Sequence, residues 1–250
     1  MPDHADFLDH NTLHRLFAIK SAADHASRAH NGQFRKDRRT PFIIHPARVA
    51  GLVNVFNGSH VAVISAWLHD VYEDCTPEWI TATDLFVSHL PLSDDEKSDI
   101  SAIVDAMTKK NTIAGKAAKL SDSLDRILDA PPEATLVKIC DRIDNFLDSA
   151  DRNGGFTKRY LTSTDEVIRK LETRASLYGY NDAMDMLMGI RMTDLKIEEI
   201  INSSHQEEIV KRARVFLTKE RHPRKRPAKP RNTLRNQGTR TTRVLRKKRN

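Results

Sequence analysis

The stretch Ala66-Trp67-Leu68-His69-Asp70-Val71-Tyr72-Glu73-Asp74 ends an apolar segment with two metal-ligand side chains side by side, and two acids follow them. If the stretch is helical, Glu73 lies four residues after His69 and three after Asp70, so the three side chains share a face. A ligand pair with a carboxylate beside it is what metal-activated water chemistry requires. A single His-Asp pair also arises by chance, so the other ligands have to be sought elsewhere in the chain.

The segment that precedes this pair is almost entirely apolar over residues 61–71, which predicts a buried helix. A charged Asp70 at the end of a buried helix needs a partner, because an unpaired buried charge costs several kcal/mol. A divalent cation would meet that need, and so would an arginine.

Apolar residues recur at helical spacing in several other segments, for example at Leu13, Leu16 and Phe17. Alternating strand patterns are scarce, and only nine residues are glycine. The sequence therefore predicts an all-α body. The further predicted helices cover residues 13–26, 95–107, 133–148 and 164–178.

Charge divides the chain into two parts. Residues 219–250 contain 14 Lys and Arg but one acid, whereas residues 1–218 contain 27 Lys and Arg and 33 Asp and Glu. The basic part has few apolar residues, so we expect a disordered tail after an acidic folded domain. Such a tail would bind polyanions such as RNA, the ribosome surface or DNA. The alternative is an extension that only aids solubility or has no function.

The remaining bulk properties are those of a soluble, cytoplasmic protein. The chain has 250 residues, of which 30% are charged, and its two cysteines provide no disulfide framework. The N-terminus lacks the apolar region of a secretory signal, and no apolar run approaches the ~18–20 residues of a membrane span. The sequence does not report an oligomeric state.

Two further segments carry polar residues suited to a site. The first is Arg35-Lys36-Asp37-Arg38-Arg39-Thr40-Pro41-Phe42-Ile43-Ile44-His45, where four cations precede a histidine and could receive phosphate oxygens. In the second, Asp141 and Asn145 align four residues apart on a predicted helix with apolar neighbours. Taken alone, the first segment is better explained as a solvated basic loop, and the second is explained at least as well by an exposed helix face.

Together, these segments resemble the HD-domain metal-dependent phosphohydrolases, and within them the RelA/SpoT-type alarmone hydrolases. His45, His69-Asp70 and Asp141 are similar to the His, His-Asp and Asp ligand set of that family. Ala29-His30-Asn31-Gly32-Gln33-Phe34-Arg35-Lys36 and Val137-Lys138-Ile139-Cys140-Asp141-Arg142-Ile143-Asp144-Asn145 also match its motifs. The resemblance covers roughly residues 16–171, with the motifs in the family's order.

The resemblance implies an all-α HD bundle in which His45, His69, Asp70 and Asp141 hold one divalent metal, usually Mn²⁺. It also implies substrate and catalytic roles. Glu73 and Asp74 match the acids that position or deprotonate the attacking water, whereas Arg35, Lys36 and Asn145 match residues that contact the nucleotide. The implied reaction hydrolyses the 3′-pyrophosphate of guanosine tetra- or pentaphosphate to GDP or GTP and pyrophosphate.

The chain departs from the family pattern at several positions. Arg38-Arg39 lengthens the loop before Thr40 by one residue, and Asp37 replaces a small residue. Asp144-Asn145 looks like the small single-domain hydrolases, and no synthetase domain fits in the chain, so we expect a stand-alone hydrolase. The alternatives are an HD phosphohydrolase that acts on another nucleotide, and a catalytically silent nucleotide or nucleic-acid binder that uses the basic tail.

Overall fold

The computed structural model describes residues 9–149 and 154–192, and these residues form an all-α bundle, as predicted. Within them, the only β structure is one isolated bridge between Phe34 and Pro41. The helices are α1 (His10–Ala29), α2 (Ile44–Val55), α3 (His60–Leu68), α4 (Val71–Asp74), α5 (Pro77–Ser88), α6 (Asp94–Met107), α7 (Lys116–Asp129), α8 (Glu133–Ser149), α9 (Gly154–Leu177) and α10 (Asn181–Met192).

Two helices, α3 and α8, form the centre of the bundle. Helix α3 packs on α1, α2, α6 and α8, while α8 also contacts α2, α6, α7, α9 and α10. Every residue from Val61 to Ala66 is buried, as is every residue from Ala134 to Asp144. A helix that is surrounded on all sides must be apolar around most of its circumference. Four charged side chains of α8 are nevertheless buried, namely those of Lys138, Asp141, Arg142 and Asp144.

The apolar segment before His69 is helical, but the helix does not continue through the His-Asp pair. Helix α3 ends at Leu68, and His69 and Asp70 connect it to the single turn α4. Neighbouring residues on a regular helix point about 100° apart. Here the helix is interrupted at this pair, and the Nε2 atom of His69 lies 3.3 Å from the Oδ1 atom of Asp70.

Helix α1 is confirmed, but the large apolar residues of its predicted stripe do not lie on the buried face. Leu13, Leu16 and Phe17 are exposed, while small residues such as Ala18 and Ala22 are fully buried. Helix α1 packs mainly on α3, and small side chains at that contact let the two helices approach closely. The positions of the large apolar residues therefore do not indicate the buried face of α1.

None of the described helices is both long enough and apolar enough to cross a lipid bilayer. The predicted boundary at residue 218 and the basic tail at residues 219–250 lie outside the described residues. Both remain predictions from composition.

Candidate metal centre

Three of the predicted ligands form a compact cluster at the middle of the bundle. His45 lies in the first turn of α2, and His69 and Asp70 lie between α3 and α4. One ligand atom from each of these residues lies within 4.8 Å of the other two. Both histidines are almost completely buried. The fold thus brings together side chains that are 24 residues apart in the sequence.

The hydrogen bonds of His69 establish which nitrogen faces the cluster. Its Nδ1 atom lies 2.8 Å from the carbonyl oxygen of Ala66, which can only accept, so Nδ1 carries a proton and donates it. The Nε2 atom is buried and has no hydrogen-bond partner. In the neutral ring this atom has a lone pair, and it points at the Asp70 carboxylate. A cation between this nitrogen and the carboxylate would interact favourably with both groups.

His45 is oriented in the same way by a carboxylate. Its Nδ1 atom donates to Asp144 Oδ2 at 2.6 Å, and its Nε2 atom lies 3.3 Å from oxygens of both Asp70 and Asp141. Burial opposes a charge on this ring, but the carboxylates of Asp141, Asp144 and Asp70 outweigh it and raise the pKa of His45 to about 11. In the absence of a metal, a proton on Nε2 takes the place of a cation.

Asp141 of α8 completes the set of four predicted ligands. Its Oδ1 atom lies 3.9 Å from His69 Nε2, and its Oδ2 atom accepts a hydrogen bond from the buried ammonium of Lys138 at 3.0 Å. Burial opposes ionisation, yet Lys138 and the two histidines hold the pKa of the Asp141 carboxyl well below its usual range. Burial likewise acts on Asp70, but His69 and His45 lower the pKa of Asp70.

These donors fit a divalent cation. Two imidazole rings whose orientations are fixed at Nδ1 and the carboxylates of Asp70 and Asp141 converge, and the unpartnered Nε2 atom of His69 is among them. Mixed nitrogen and oxygen ligands suit first-row metals such as Mn²⁺, Fe²⁺ or Zn²⁺. A cation among these four groups would replace the proton of His45 and balance the negative charge of the carboxylates.

The two acids that follow the pair have different surroundings. Glu73 accepts hydrogen bonds from the Lys109 ammonium group through both carboxylate oxygens, at 2.8 and 2.9 Å. Lys109 follows the end of α6, so this ion pair joins α4 to another part of the bundle. Glu73 is therefore fixed in place beside the cluster.

Asp74 keeps contact with solvent, but its carboxyl group is hard to ionise. Desolvation and the negative charges of Asp70 and Glu73 raise the pKa of Asp74 to about 7. The backbone of this residue is fixed by Gln33, whose Nε2 atom donates to the Asp74 carbonyl oxygen at 2.8 Å. A carboxyl with a pKa near neutrality can accept or give a proton at physiological pH.

Two of the three predicted substrate residues contact each other. The Arg35 guanidinium donates from Nη2 to Asn145 Oδ1 at 3.0 Å and from Nε to Asp148 Oδ2 at 2.9 Å. Asn145 in turn donates to Asp141 Oδ1, so the arginine is connected to the candidate ligand Asp141 through one side chain. Lys36 is exposed in the same loop, and its role remains a prediction.

The loop that departs from the family pattern is closed by its own side chain. The Asp37 carboxylate accepts hydrogen bonds from the Arg39 and Thr40 backbone amides at 2.8 and 2.9 Å, and from the Thr40 hydroxyl at 2.6 Å. Arg38 adopts the left-handed conformation with φ of 58°. Asp37 therefore accommodates the additional residue in a tight turn, which leaves Arg35 next to α8.

Four residues that contact the predicted site residues, or continue from them, were not predicted from the sequence as part of the site. Lys109 binds Glu73, Asp144 binds His45, and Arg48 and Asp148 continue from Asp144 toward Arg35. Helical spacing offered one signal, because Asp144 and Asp148 lie three and seven residues after Asp141 and share its face of α8. Nothing in the sequence distinguishes Lys109 from its exposed neighbour Lys110.

No protein-family model matches the chain. Among curated proteins, it is 27% identical over 138 residues to a GTP pyrophosphokinase of Myxococcus xanthus, which covers 52% of this chain and 17% of that protein. It is also similar to two guanosine-3′,5′-bis(diphosphate) 3′-pyrophosphohydrolases. The identity is 26% over 164 residues for that of Haemophilus influenzae (64% of this chain, 23% of the relative) and 30% over 129 residues for that of Aquifex aeolicus (51% and 17%).

The chain thus spans less than a quarter of the length of these curated relatives. Among solved structures, it resembles one described as a metazoan ortholog of SpoT that hydrolyzes ppGpp and plays a role in starvation responses. The TM-score is 0.55 at 19% sequence identity, and the match covers 69% of this chain and 93% of that chain. The comparisons confirm that the chain resembles this group of proteins, as the motifs indicated, and the solved structure shows that it shares the fold of this SpoT ortholog.

Proposed function

We propose that this chain is a metal-dependent guanosine 3′,5′-bis(diphosphate) 3′-pyrophosphohydrolase. The observation that carries the proposal is the convergence of His45, His69, Asp70 and Asp141, with the unpartnered Nε2 atom of His69 directed at a carboxylate. The names of two similar curated proteins supply the reaction. In that reaction, a water oxygen forms a bond to phosphorus, and the bond from phosphorus to the ribose 3′-oxygen breaks.

The proposal assigns metal binding to the four converging side chains. A bound divalent cation would lower the pKa of a coordinated water and polarise a phosphate oxygen. We propose Mn²⁺ as that ion for two reasons. The resemblance to the family implies it, and a ligand set that includes two carboxylates suits a hard ion such as Mn²⁺.

The acids of α4 are proposed to handle the proton of the attacking water. Asp74 has a pKa of about 7 and contact with solvent, so it can accept a proton from water and release it to bulk solvent. Glu73 is held by Lys109, which gives it a fixed orientation as a hydrogen-bond acceptor for the water. Fixed acceptors beside the reacting atoms lower the barrier because they need no reorganisation during the reaction.

Arg35 and Lys36 are proposed to receive the polyphosphate. The Arg35 guanidinium is held against α8 by its hydrogen bonds to Asn145 and Asp148. Lys36 follows it in the same loop. Arginine binds phosphate oxygens through two parallel hydrogen bonds, which orients the group as well as neutralising it. Asn145 lies between this guanidinium and Asp141, so a phosphate at Arg35 would lie beside the metal ligands.

Release of pyrophosphate tests the proposal. The purified full chain, freed of metal and then supplied with Mn²⁺, is expected to release one pyrophosphate per guanosine tetraphosphate, whereas Asp70→Asn is expected to be inactive. A panel of other nucleotides with exposed phosphates separates this activity from that of an HD phosphohydrolase with a different substrate. No turnover of any nucleotide in the presence of Mn²⁺ would favour a catalytically silent binder.

The proposal also includes a cytoplasmic location and a polyanion partner for residues 219–250. Free cysteines at positions 75 and 140 support a reducing compartment. The excess of Lys and Arg in the tail supports binding to RNA, the ribosome or DNA, with an affinity that falls steeply as salt rises. Removal of residues 219–250 is expected to abolish retention on an RNA column and to leave pyrophosphate release unchanged.

A further inference from the structure

On the Nδ1 side of His45, a chain of buried and partly exposed charged side chains leads away from the candidate ligands. The Asp144 side chain is 3% exposed, and its carboxylate accepts hydrogen bonds from two side chains of α2. Oδ2 accepts from His45 Nδ1 at 2.6 Å, while Oδ1 accepts from Arg48 Nε at 2.5 Å. Arg48 adds a second bond from Nη2 to Asp144 Oδ2 at 3.2 Å. Two hydrogen bonds from Arg48 thus fix the Asp144 carboxylate, which in turn accepts the hydrogen bond from His45.

Arg48 also connects Asp144 to Asp148, which binds Arg35. Arg48 Nη2 donates to Asp148 Oδ1 at 2.6 Å, and Asp148 Oδ2 accepts from Arg35. These contacts form a closed ring, because Arg35 returns through Asn145 to Asp141, whose Oδ1 atom lies 3.3 Å from His45 Nε2. A ring of this kind fixes each member from two sides.

Ring orientation matters for a metal ligand because the lone pair of a single nitrogen must point at the ion. A carboxylate on the opposite nitrogen fixes both the tautomer and the rotation of the imidazole, and such partners contribute to metal affinity. The Asp144 carboxylate also depends on Arg48, since without that guanidinium it would be a buried charge with one partner fewer.

We propose that Asp144 and Arg48 are positioning residues that fix His45 as a metal ligand. This inference rests on the metal centre of the proposed function and adds two side chains to it. Neither residue touches the reacting atoms. Their effect is expected on metal affinity first, and on turnover only where the metal is limiting.

Isothermal titration calorimetry of the metal-free full chain with Mn²⁺ tests the inference without any substrate. Asp144→Ala is expected to raise the Kd for Mn²⁺ about 10–100-fold. Asp144→Asn keeps one acceptor oxygen for Nδ1 but no charge for Arg48, so its Kd is expected between those of the wild type and Asp144→Ala. Activity of each variant is expected to return at saturating Mn²⁺, which a merely destabilised protein would not show.

Arg48→Ala keeps the test valid if Asp144→Ala does not fold, because the Arg48 side chain is 40% exposed and its removal leaves no large cavity. Its Kd for Mn²⁺ is expected to rise about threefold or more, less than for Asp144→Ala. Arg169→Ala is the matched control, since Arg169 forms an ion pair with Glu166 on α9 and its loss is expected to leave the Kd unchanged.

The outcomes separate this inference from the proposed function. If the wild type binds Mn²⁺ and both Asp144→Ala and Arg48→Ala bind it within twofold of the wild-type Kd, the positioning role is wrong and the metal centre stands. If the wild type binds no divalent metal, the metal centre is wrong and the positioning role falls with it.

Discussion

The Lys109 ammonium group donates to both carboxylate oxygens of Glu73, so an acid next to the metal cluster is held by a cation from the end of α6. In the proposed chemistry, Glu73 would accept a hydrogen bond from the attacking water, and Lys109 would keep that carboxylate in place. Neither side chain is fully buried, which leaves both accessible to a ligand.

Replacement of Lys109 is therefore expected to impair turnover more than folding. In Lys109→Ala, Glu73 loses its orientation and the site loses a positive charge, so we expect kcat/KM for guanosine tetraphosphate to fall about 10²-fold. Lys110→Ala is the matched control, because Lys110 is the exposed neighbour, and its kinetics are expected to equal those of the wild type. Equal kcat/KM values for the two variants would show that Lys109 has no part in the reaction.

The raised pKa of Asp74 predicts that the folded protein becomes less stable as the pH rises and this carboxyl ionises. The pKa of this carboxyl is about 7 in the folded chain against an ordinary value of 3.8, so the folded state binds the proton more tightly than the unfolded state. Stability contributed by this group is therefore lost as the pH rises from about 4 to about 7, and the loss is constant above that range.

Asp74→Asn removes the ionisation, so the metal-free variant is expected to be more stable than the wild type above pH 7. The difference in Tm is expected to grow between pH 5 and pH 7 and then to level off. Thermal denaturation followed by circular dichroism in the presence of a chelator measures it. A difference in Tm that does not change with pH would show that Asp74 is not the titrating group.

Arg35 is expected to contribute chiefly to substrate binding. Arg35→Ala removes a guanidinium that Asn145 and Asp148 hold beside the metal ligands, so we expect KM for guanosine tetraphosphate to rise about tenfold or more. Arg39→Ala serves as the control, because Arg39 belongs to the same loop but is exposed. Steady-state kinetics at saturating Mn²⁺ distinguish the two, and a larger KM for Arg39→Ala would assign phosphate binding to the tip of the loop.

Gly58 precedes the N-cap of α3 and has no room for a side chain. A Cβ atom at this position would overlap the Val53 side chain and lie 2.9 Å from the Val53 carbonyl oxygen. Gly58→Ala is therefore expected to reduce the free energy of unfolding by about 1–3 kcal/mol.

Gly51 provides the contrast within the same region. It lies inside α2 with open space around its Cα atom, so Gly51→Ala is expected to stabilise the protein by about 0.5–1 kcal/mol. Urea denaturation measures both variants. A stabilising Gly58→Ala would mean that the connection between α2 and α3 is looser than described.

Much of the fold could be predicted from local signals. The predicted helices at residues 95–107 and 133–148 correspond closely to α6 and α8. Helix α6 buries one regular apolar stripe, and α8 is buried over most of its length. The buried face of α1 could not be predicted in this way, since its contact with α3 is made by alanines, which hydrophobic periodicity weights weakly.

The candidate site shows a similar division. The order of the motifs containing His45, His69-Asp70 and Asp141 was enough to predict that these side chains converge, whereas their role as metal ligands stays a prediction. The Glu73–Lys109 pair joins residues 36 positions apart, and the contact of Arg48 with Asp144 joins residues 96 positions apart. Neither pair has a helical spacing or a motif to reveal it, so each required the tertiary structure.

The most direct measurement is an anomalous difference map from crystals of the full chain grown with Mn²⁺ and recorded above the manganese absorption edge. The account predicts one strong peak within about 2.4 Å of the Nε2 atoms of His45 and His69 and of an oxygen from each of Asp70 and Asp141. A map without a peak between these side chains, from protein whose Mn²⁺ content equals or exceeds one per chain, would contradict it.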